Sequence, residues 1–332
     1  MKNAILIDFK AEENWSFLKE LGEDKWEIKE IVTNSLHGNA IKNLLRYVLY
    51  FLVPLRFILR RKQYGKIVAW QQFYGLNFAF WSKLLHLKKI NDVTVMTFIY
   101  KKKNGIVGNL YHKYMTYIVK SKFIDRFICF SRAECSFYAD MFGEDVCRFI
   151  FVPLGVSVPK IDVSEIRDEG YLFATGRSNR NYDFLIDAIK GTEYECLIAC
   201  DTYKTTDLTK NIKIEKNCFN REMLAKMAHC HCVVIPLKNR SVSSGQLVVL
   251  QAMALGKPVI CTDSDGLKDY VQDEITGFLI DNRKESLLSA LHYISEQSVY
   301  SRFSCNARES YLKNFVEEAM YKRISSIVNG ND

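Results

Sequence analysis

The stretch from Ser243 to Ile260 has the residue types and spacing to hold an anion. Ser243 followed three residues on by Gln246 reads as a capping box, so a helix is expected to start there. Gly256 and Pro258 end it and release the chain into a strand. Such a start leaves the backbone N–H groups of Ser244, Gly245 and Gln246 without intrahelical acceptors. With the positive end of the helix dipole they suit a phosphate or pyrophosphate, and Gly245 lets it come close. Gln251, two turns in, offers an amide to vicinal hydroxyls. Most capped helices bind nothing, so the spacing alone does not assign a function.

A second candidate is Trp70-Gln71-Gln72-Phe73-Tyr74-Gly75. Aromatic rings beside amides suit a saccharide, whose apolar faces stack on rings while its hydroxyls bond to amides, so Gln71, Gln72 and Tyr74 are candidate acceptor-binding residues. The competing reading makes the rings core and the glutamines loop. Lys101-Lys102-Lys103-Asn104-Gly105 could meet a pyrophosphate-linked lipid acceptor or be a solvated loop. The ten cysteines contain no Cys-x-x-Cys pair and mostly sit in apolar runs, as buried hydrophobes in a reducing compartment do. Cys230-His231-Cys232 is the one metal-like cluster, but it leads into an apolar strand and no second ligand pair follows, so no metal is expected. None of the six histidines suits a catalytic base, and His86 and His112, on apolar-rich helical segments, are expected to be structural.

The elements that must position these groups alternate. Strands are expected at 4–7, 26–32, 67–70, 93–98, 127–131 and 149–155, with helices at 15–21 and 133–141, the latter capped by Ser131. The apolar periodicity lapses over 156–170, where the domain boundary belongs. A second alternating unit follows: strand 171–175, helix 183–190, strand 196–199, strand 212–215, helix 221–229, strand 232–236, helix 244–255, strand 258–261, helix 267–271 and strand 277–280. This order argues for two α/β domains with parallel sheets, 1–157 and 158–311, with a C-terminal helix at about 312–330 free to pack back on the first. A cleft between the two is the default place for a ligand.

The Ser243–Ile260 stretch, with Thr262-Asp263, Gly266-Leu267 and Asp273 to Ile280, resembles the C-terminal donor domain of the family 4 (group 1) retaining glycosyltransferases of the GT-B fold, two Rossmann-like α/β/α domains facing a cleft. Phe127–Ser131, Phe151–Val156, Phe173-Ala174-Thr175-Gly176-Arg177 and Asn306-Ala307-Arg308 fall in family order. The likeness covers roughly 125–320. It implies a transferase that takes a nucleotide-diphosphate sugar, UDP- or GDP-linked, as substrate rather than cofactor. Gly176, Arg177 and Arg180, with the amides of Ser244 to Gln246, would neutralise the leaving diphosphate without a metal. Asn217, Cys218 and Phe219 would hold the base, and Gln251 the ribose. The family carries Glu, seven residues, Glu where this chain has Ser243 and Gln251. It also commonly has Lys at the position of Tyr182, so Arg180 or Asn181 would substitute. Ser243, beside the donor sugar in the family, is too short to replace a glutamate, which opens an alternative: an inactive GT-B partner subunit of an active transferase.

At 332 residues, 48% hydrophobic and 25% charged, the composition excludes a disordered or collagenous chain. The net charge of +8 is unevenly held, +11 over residues 1–160 and −3 over 161–332. Residues 42–122 carry 16 Lys or Arg and one acid, Asp92. An anionic neighbour is expected there. Leu44 to Leu59, with two arginines and Pro54, is too short and too charged to cross a bilayer but fits an amphipathic segment on an anionic membrane surface; a half-buried core helix is the plainer reading. The N-terminal apolar run is too short for a signal peptide. The expectation is a cytoplasmic protein peripheral to the inner face of the plasma membrane. It would transfer a sugar to a saccharide acceptor, lipid-linked, in bacterial capsule, O-antigen or lipopolysaccharide synthesis. Nucleic acid is not expected as a partner, since no binding motif accompanies the charge.

Overall fold

Ala4, Ile5, Leu6 and Ile7 have no exposed surface, as a parallel strand covered on both faces requires. The computed structural model describes residues 1–22, 25–33, 39–159, 167–206 and 209–330. They divide into two compact units, Met1–Val152 with Tyr321–Asp332, and Pro153–Met320.

In the first unit the strands β1 (Lys2–Ile7), β2 (Trp26–Glu30), β3 (Tyr64–Ala69), β4 (Asp92–Val95), β5 (Arg126–Cys129) and β6 (Phe149–Phe151) form one parallel sheet in the order β2-β1-β3-β4-β5-β6. The helices are α1 (Ser16–Leu21), α2 (Ala40–Arg60), α3 (Gln72–Leu84), α4 (Gly105–Val119) and α5 (Arg132–Phe142). Ser131 caps α5 as expected, its hydroxyl accepting from the Glu134 N–H at 3.2 Å. In the second unit β7 (Leu172–Thr175), β8 (Cys196–Ala199), β9 (Ile212–Glu215), β10 (Cys232–Ile235), β11 (Val259–Thr262) and β12 (Gly277–Ile280) form a second parallel sheet, β12-β11-β10-β7-β8-β9. Its helices are α6 (Tyr182–Ile189), α7 (Asn220–His229), α8 (Gln246–Ala254), α9 (Lys284–Ile294) and α10 (Gln297–Asn314); α11 (Glu317–Asn329) follows. In each sheet every strand delivers the residue after it to the same edge, which is where α/β proteins build ligand sites.

The segment Leu44–Leu59 belongs to α2, a 21-residue helix with Pro54 inside it. Proline has no N–H to give the carbonyl four residues back, so the Tyr50 carbonyl loses its helical donor. The Asn77 amide of α3, itself buried, supplies one, with Nδ2 donating to Tyr50 O at 2.9 Å. One residue on, Trp81 Nε1 donates to Phe51 O at 2.8 Å. The approach of α3 to the sheet is close as well. A Cβ on Gly75 would stand 2.7 Å from Ala69 Cβ and 2.8 Å from Val95 Cγ2, so only glycine fits.

Two elements differ from expectation. No helix forms over 267–271: Leu267 to Val271 make one tight turn, with Tyr270 N–H and Val271 N–H both bonding to the Leu267 carbonyl. The stretch between Gly266 and Gln272 is too short to add a second turn. The helix expected from 244 begins at Gln246 instead. Gly245, at φ +95°, sits in the left-handed region at its N-cap, and no side chain caps it. A residue at that φ cannot continue a right-handed helix, so the start moves beyond it. Ser243 and Gln246 still meet, the Gln246 amide donating to the Ser243 hydroxyl, but through side chains alone rather than as a capping box. His86 lies past the end of α3, exposed and at φ +50°, and so is not on a helix.

Candidate functional site

Two cavities lie at the strand edges, one in each unit. In the second unit a cavity of about 810 Å³ is lined by residues following β7, β8 and β9 and by the first two turns of α8. Gly176, Arg177, Cys218, Phe219 and Gln251 line it together, although they come from three separate parts of the sequence. Arg177 is 61% exposed at its side chain, and its Nε donates to Asp201 Oδ1 at 2.7 Å. Its guanidinium also lies over the Phe219 ring, 5.4 Å from the centroid. The hydrogen bond and charge of Arg177 hold the Asp201 carboxyl below its ordinary pKa, and Asp201 in turn raises that of Arg177. The guanidinium is thus fixed by one edge and one face, leaving its terminal nitrogens for an anion. Asp201 was not anticipated from the sequence; its place directly after the β8 strand was the available signal.

Leu247 and Val248, in the first turn of α8, line the same cavity. The first α-helical bond runs from Val249 N–H to Gly245 O at 3.0 Å, so the N–H groups of Gln246, Leu247 and Val248 have no intrahelical acceptor. Of the amides expected to face an anion, that of Gln246 is thus without an intrahelical acceptor, and those of Leu247 and Val248 join it.

The other expected donor-side residues lie off the cavity wall. Arg180 is turned inward, with Nε donating to Thr175 O at 2.9 Å and Nη1 to Ser178 O at 2.8 Å, and burial lowers its pKa. It packs under Gly176, which stands at φ +119° and where a Cβ would meet Arg180 Nη2 at 2.5 Å. The Arg180 guanidinium thus shapes the Gly176–Arg177 turn. Ser243 is occupied by Gln246 and packs on Gly266. Ser244 Oγ accepts from Asn179 Nδ2 at 2.9 Å, and Asn179 also bonds the Asn239 carbonyl and N–H, at 2.8 Å each. Asn179 thereby pins the loop leading into α8. Asn217 is exposed and does not line the cavity.

In the first unit a cavity of about 750 Å³ is lined by Asp8, Gln71, Gln72 and Asn77, by Arg46, Tyr47, Tyr50 and Phe51 of α2, and by Lys103, Tyr111 and Tyr114. Gln71 Nε2 donates to Asp8 Oδ2 at 2.8 Å and to Tyr50 Oη at 3.2 Å, while Tyr50 Oη donates to the same carboxylate at 3.3 Å. Gln72 Oε1 accepts from Ile99 N–H at 3.1 Å. Tyr74, expected beside them, is fully buried: its hydroxyl donates to Ile31 O at 3.1 Å, and burial drives its pKa up. The helix beginning at Gln72 turns Tyr74 away from the two glutamines and into the core. Lys103 is exposed and sits over the Tyr111 ring, 4.9 Å from its centroid. Asp8, Tyr50 and Tyr111 carried no sequence signal, since tyrosines within apolar helices read as core.

The metal-like Cys230-His231-Cys232 cluster is dispersed. Both cysteines are buried, Cys230 Sγ bonds Met227 O at 3.1 Å, and His231 Nδ1 lies 2.6 Å from Asp168. Glu215, Cys218 and Glu222 do lie within reach of one ion, but Glu215 is paired with Lys213 at 2.7 Å and Lys226 at 2.8 Å. His112 bonds the Tyr100 hydroxyl at 3.0 Å and stacks on Phe142.

Residues 169–297 match the family model described as Glycosyl transferases group 1. An uncharacterized glycosyltransferase of Methanocaldococcus jannaschii is 26% identical over 219 residues, 62% of this chain and 59% of that protein. The chain spans less than two thirds of the length of the curated relatives it matches. Among solved structures, Anabaena HepE in complex with UDP superposes with TM-score 0.68 at 15% identity, covering 99% of this chain and all of that one. WaaG, a glycosyltransferase involved in lipopolysaccharide biosynthesis, superposes with TM-score 0.61 at 13% identity over 98% and 99%. At such identities the superpositions establish the fold. The chain therefore has the two-domain α/β fold of the GT-B glycosyltransferases, and its second unit carries a region that matches the group 1 glycosyltransferase model.

Proposed function

We propose that this protein is a glycosyltransferase that moves a sugar from a nucleotide-diphosphate donor, UDP- or GDP-linked, to a saccharide acceptor. The observation that carries the reading is the convergence of Gly176-Arg177, Cys218-Phe219, Gln251 and the uncapped start of α8 on one cavity. A nucleoside diphosphate leaves only if the charge growing on it is neutralised. The Arg177 guanidinium and the N–H groups of Gln246 to Val248 are fixed donors of the kind that do this, with no metal called upon. Gln251 presents an amide to the ribose hydroxyls, and Phe219 a flat face to the base. HepE, solved with UDP, supports a nucleotide-sugar donor. The resemblance of the Ser243–Ile260 stretch to the family 4 retaining glycosyltransferases supports transfer with retention.

The acceptor reading places a saccharide on Asp8, Gln71 and the aromatic wall of the first cavity, where carboxylate and amide can take hydroxyls and rings can take apolar sugar faces. The cations Arg46 and Lys103 beside them favour an acceptor that carries phosphate, as a lipid-linked saccharide does. WaaG, named for lipopolysaccharide biosynthesis, supports a surface polysaccharide as product; a lipid-linked acceptor would place its synthesis at the cytoplasmic face of the plasma membrane. Among the described residues no helix is long and apolar enough to cross a membrane.

A second reading, an inactive partner subunit, is favoured by Ser243, which is held by Gln246 away from the cavity wall. Thermal unfolding with UDP, GDP and their common sugars tests donor binding. A bound nucleotide raises the apparent stability by about 2.7 kcal/mol at a hundredfold excess over Kd. A rise lost in Arg177→Ala, with sugar turnover, supports the enzyme; a rise without any turnover supports the partner subunit. No rise with any nucleotide, and no change in Arg177→Ala, overturns the enzyme.

A further inference from the structure

Among the described residues, the outer side of α2 carries an exposed apolar stripe. Ile41, Leu44, Leu45, Val48 and Leu52 recur at helical spacing, and all are exposed, Ile41 at 77% and Leu44 at 65%. The helix's buried residues, Tyr50, Pro54, Phe57 and Ile58, lie on a different face. The first turns of α4 repeat the pattern, with Ile106 at 81%, Val107 at 74% and Leu110 at 60% exposed. The two patches are neighbours, because Arg46 and Tyr47 of α2 and Lys103 and Tyr111 beside and within α4 line one cavity.

Charge identifies the occupant. Lys42 on α2 and Lys101 and Lys102 before α4 are exposed. The one acid within residues 42–122, Asp92, is already paired with Arg126 at 2.5 Å. Cations ahead of a helix N-terminus oppose the helix dipole, and α4 has no acid in its first turn and no side-chain cap to offset them. These lysines therefore oppose the α4 dipole slightly, and an external anion beside them would be favourable. Aliphatic side chains flanked by unpaired cations match the boundary of an anionic bilayer, where acyl chains take the former and headgroup phosphates the latter. A nucleic-acid backbone offers nothing to Ile106, Val107 or Leu44.

We propose that the first unit docks on an anionic lipid surface through the outer stripe of α2 and the tip of α4, with Lys101 and Lys102 at the headgroup level. The expected segment of α2 is then half of the surface, and the α4 tip is the other half. Given the transferase reading above, on which this point rests, the cavity between the two helices opens beside the headgroups that would carry a lipid-linked acceptor.

The test is cosedimentation of the full chain with phosphatidylcholine vesicles, with and without phosphatidylglycerol. Lys101→Glu/Lys102→Glu, Ile106→Ser/Val107→Ser and the charge-matched control Lys204→Glu/Lys210→Glu in the second unit are compared with the unaltered chain. Binding is expected only with phosphatidylglycerol and weakens with salt. The lysine pair should lose at least about thirtyfold in affinity, the apolar pair about tenfold, and the control nothing, with no variant lower in Tm than the unaltered chain. Vesicle binding that is absent, or equal in all variants, overturns the proposal. So does a dimer dispersed by Ile106→Ser/Val107→Ser, or binding to duplex DNA in preference to vesicles. The rise in Tm induced by UDP or GDP, measured on the same samples, separates the two readings. Vesicle binding without that rise keeps the surface and removes the transferase; the rise without vesicle binding removes the surface alone.

Discussion

Arg177 and Arg180 stand three residues apart and do opposite work. The first lines the cavity with its guanidinium held by Asp201 and Phe219; the second is spent on carbonyls beneath the turn. Arg177→Ala should lower sugar transfer by about 10²–10³-fold, the usual effect of removing a fixed donor at a developing anion. Asp201→Asn keeps the shape but weakens the hold on Arg177, and should cost no more than roughly fivefold, since the pair is open to solvent. Initial-rate kinetics with one donor check both. Because Arg177 depresses the Asp201 pKa, the pair persists well below neutrality and contributes no pH dependence between pH 6 and 8. Glu215 gives a pH-dependent stability term. Lys213 and Lys226 lower its pKa in the fold, so its contribution is complete above the unfolded value near 4.5 and is lost as the pH falls through the lower folded one. Glu215→Gln should therefore cost up to about 1 kcal/mol at neutral pH and progressively less as the pH falls below 4.5, by urea titration across that range.

At the scale of elements, α2 and α3 act as one piece because a proline in one is answered by an asparagine in the other. Asn77→Ala leaves the buried Tyr50 carbonyl without a donor and should destabilise by about 1–3 kcal/mol. Pro54→Ala restores a helical N–H to that carbonyl, so the double variant should lose less than the single ones predict, in a double-mutant cycle by chemical denaturation. Gly75→Ala should cost about 1–3 kcal/mol by overpacking against Ala69 and Val95. These elements also show what was legible in the sequence. The β-strands were, because Ala4–Ile7 and Cys232–Ile235 are unbroken apolar runs. The start of α8 was not, because a glycine one residue before Gln246 takes a left-handed φ that a serine-glutamine spacing does not reveal. Tyr74 was misplaced for a related reason: a helix that begins at Gln72 rotates each following residue by about 100°, so neighbours in sequence leave the wall together only by chance. Arg180 could not be read as the support of a turn, since its partners are backbone carbonyls, which carry no residue code; the same holds for the bonds from Asn179 to the Asn239 backbone.

At the scale of the molecule, the ten cysteines report on the packing of both sheets. Only Cys147 and Cys305 are exposed; burial raises the thiol pKa of Cys230 to about 12 and drives Cys261 higher still. A thiol reagent at neutral pH should therefore label two sites quickly and the other eight only on unfolding, as counted by mass spectrometry. The uneven charge belongs to this scale too. The second unit brings a few fixed donors to its cavity, whereas the first spreads its cations over two helices. The cross-helix bonds from Asn77 and Trp81 to the α2 backbone have a final consequence. They secure the helix from its inner side, and among the described residues its outer apolar side chains are left exposed. That outer row can be rewritten wholesale, to serines and glutamates for a freely dispersing variant or to longer alkyl chains for a tethered one, while the domain beneath stays the same.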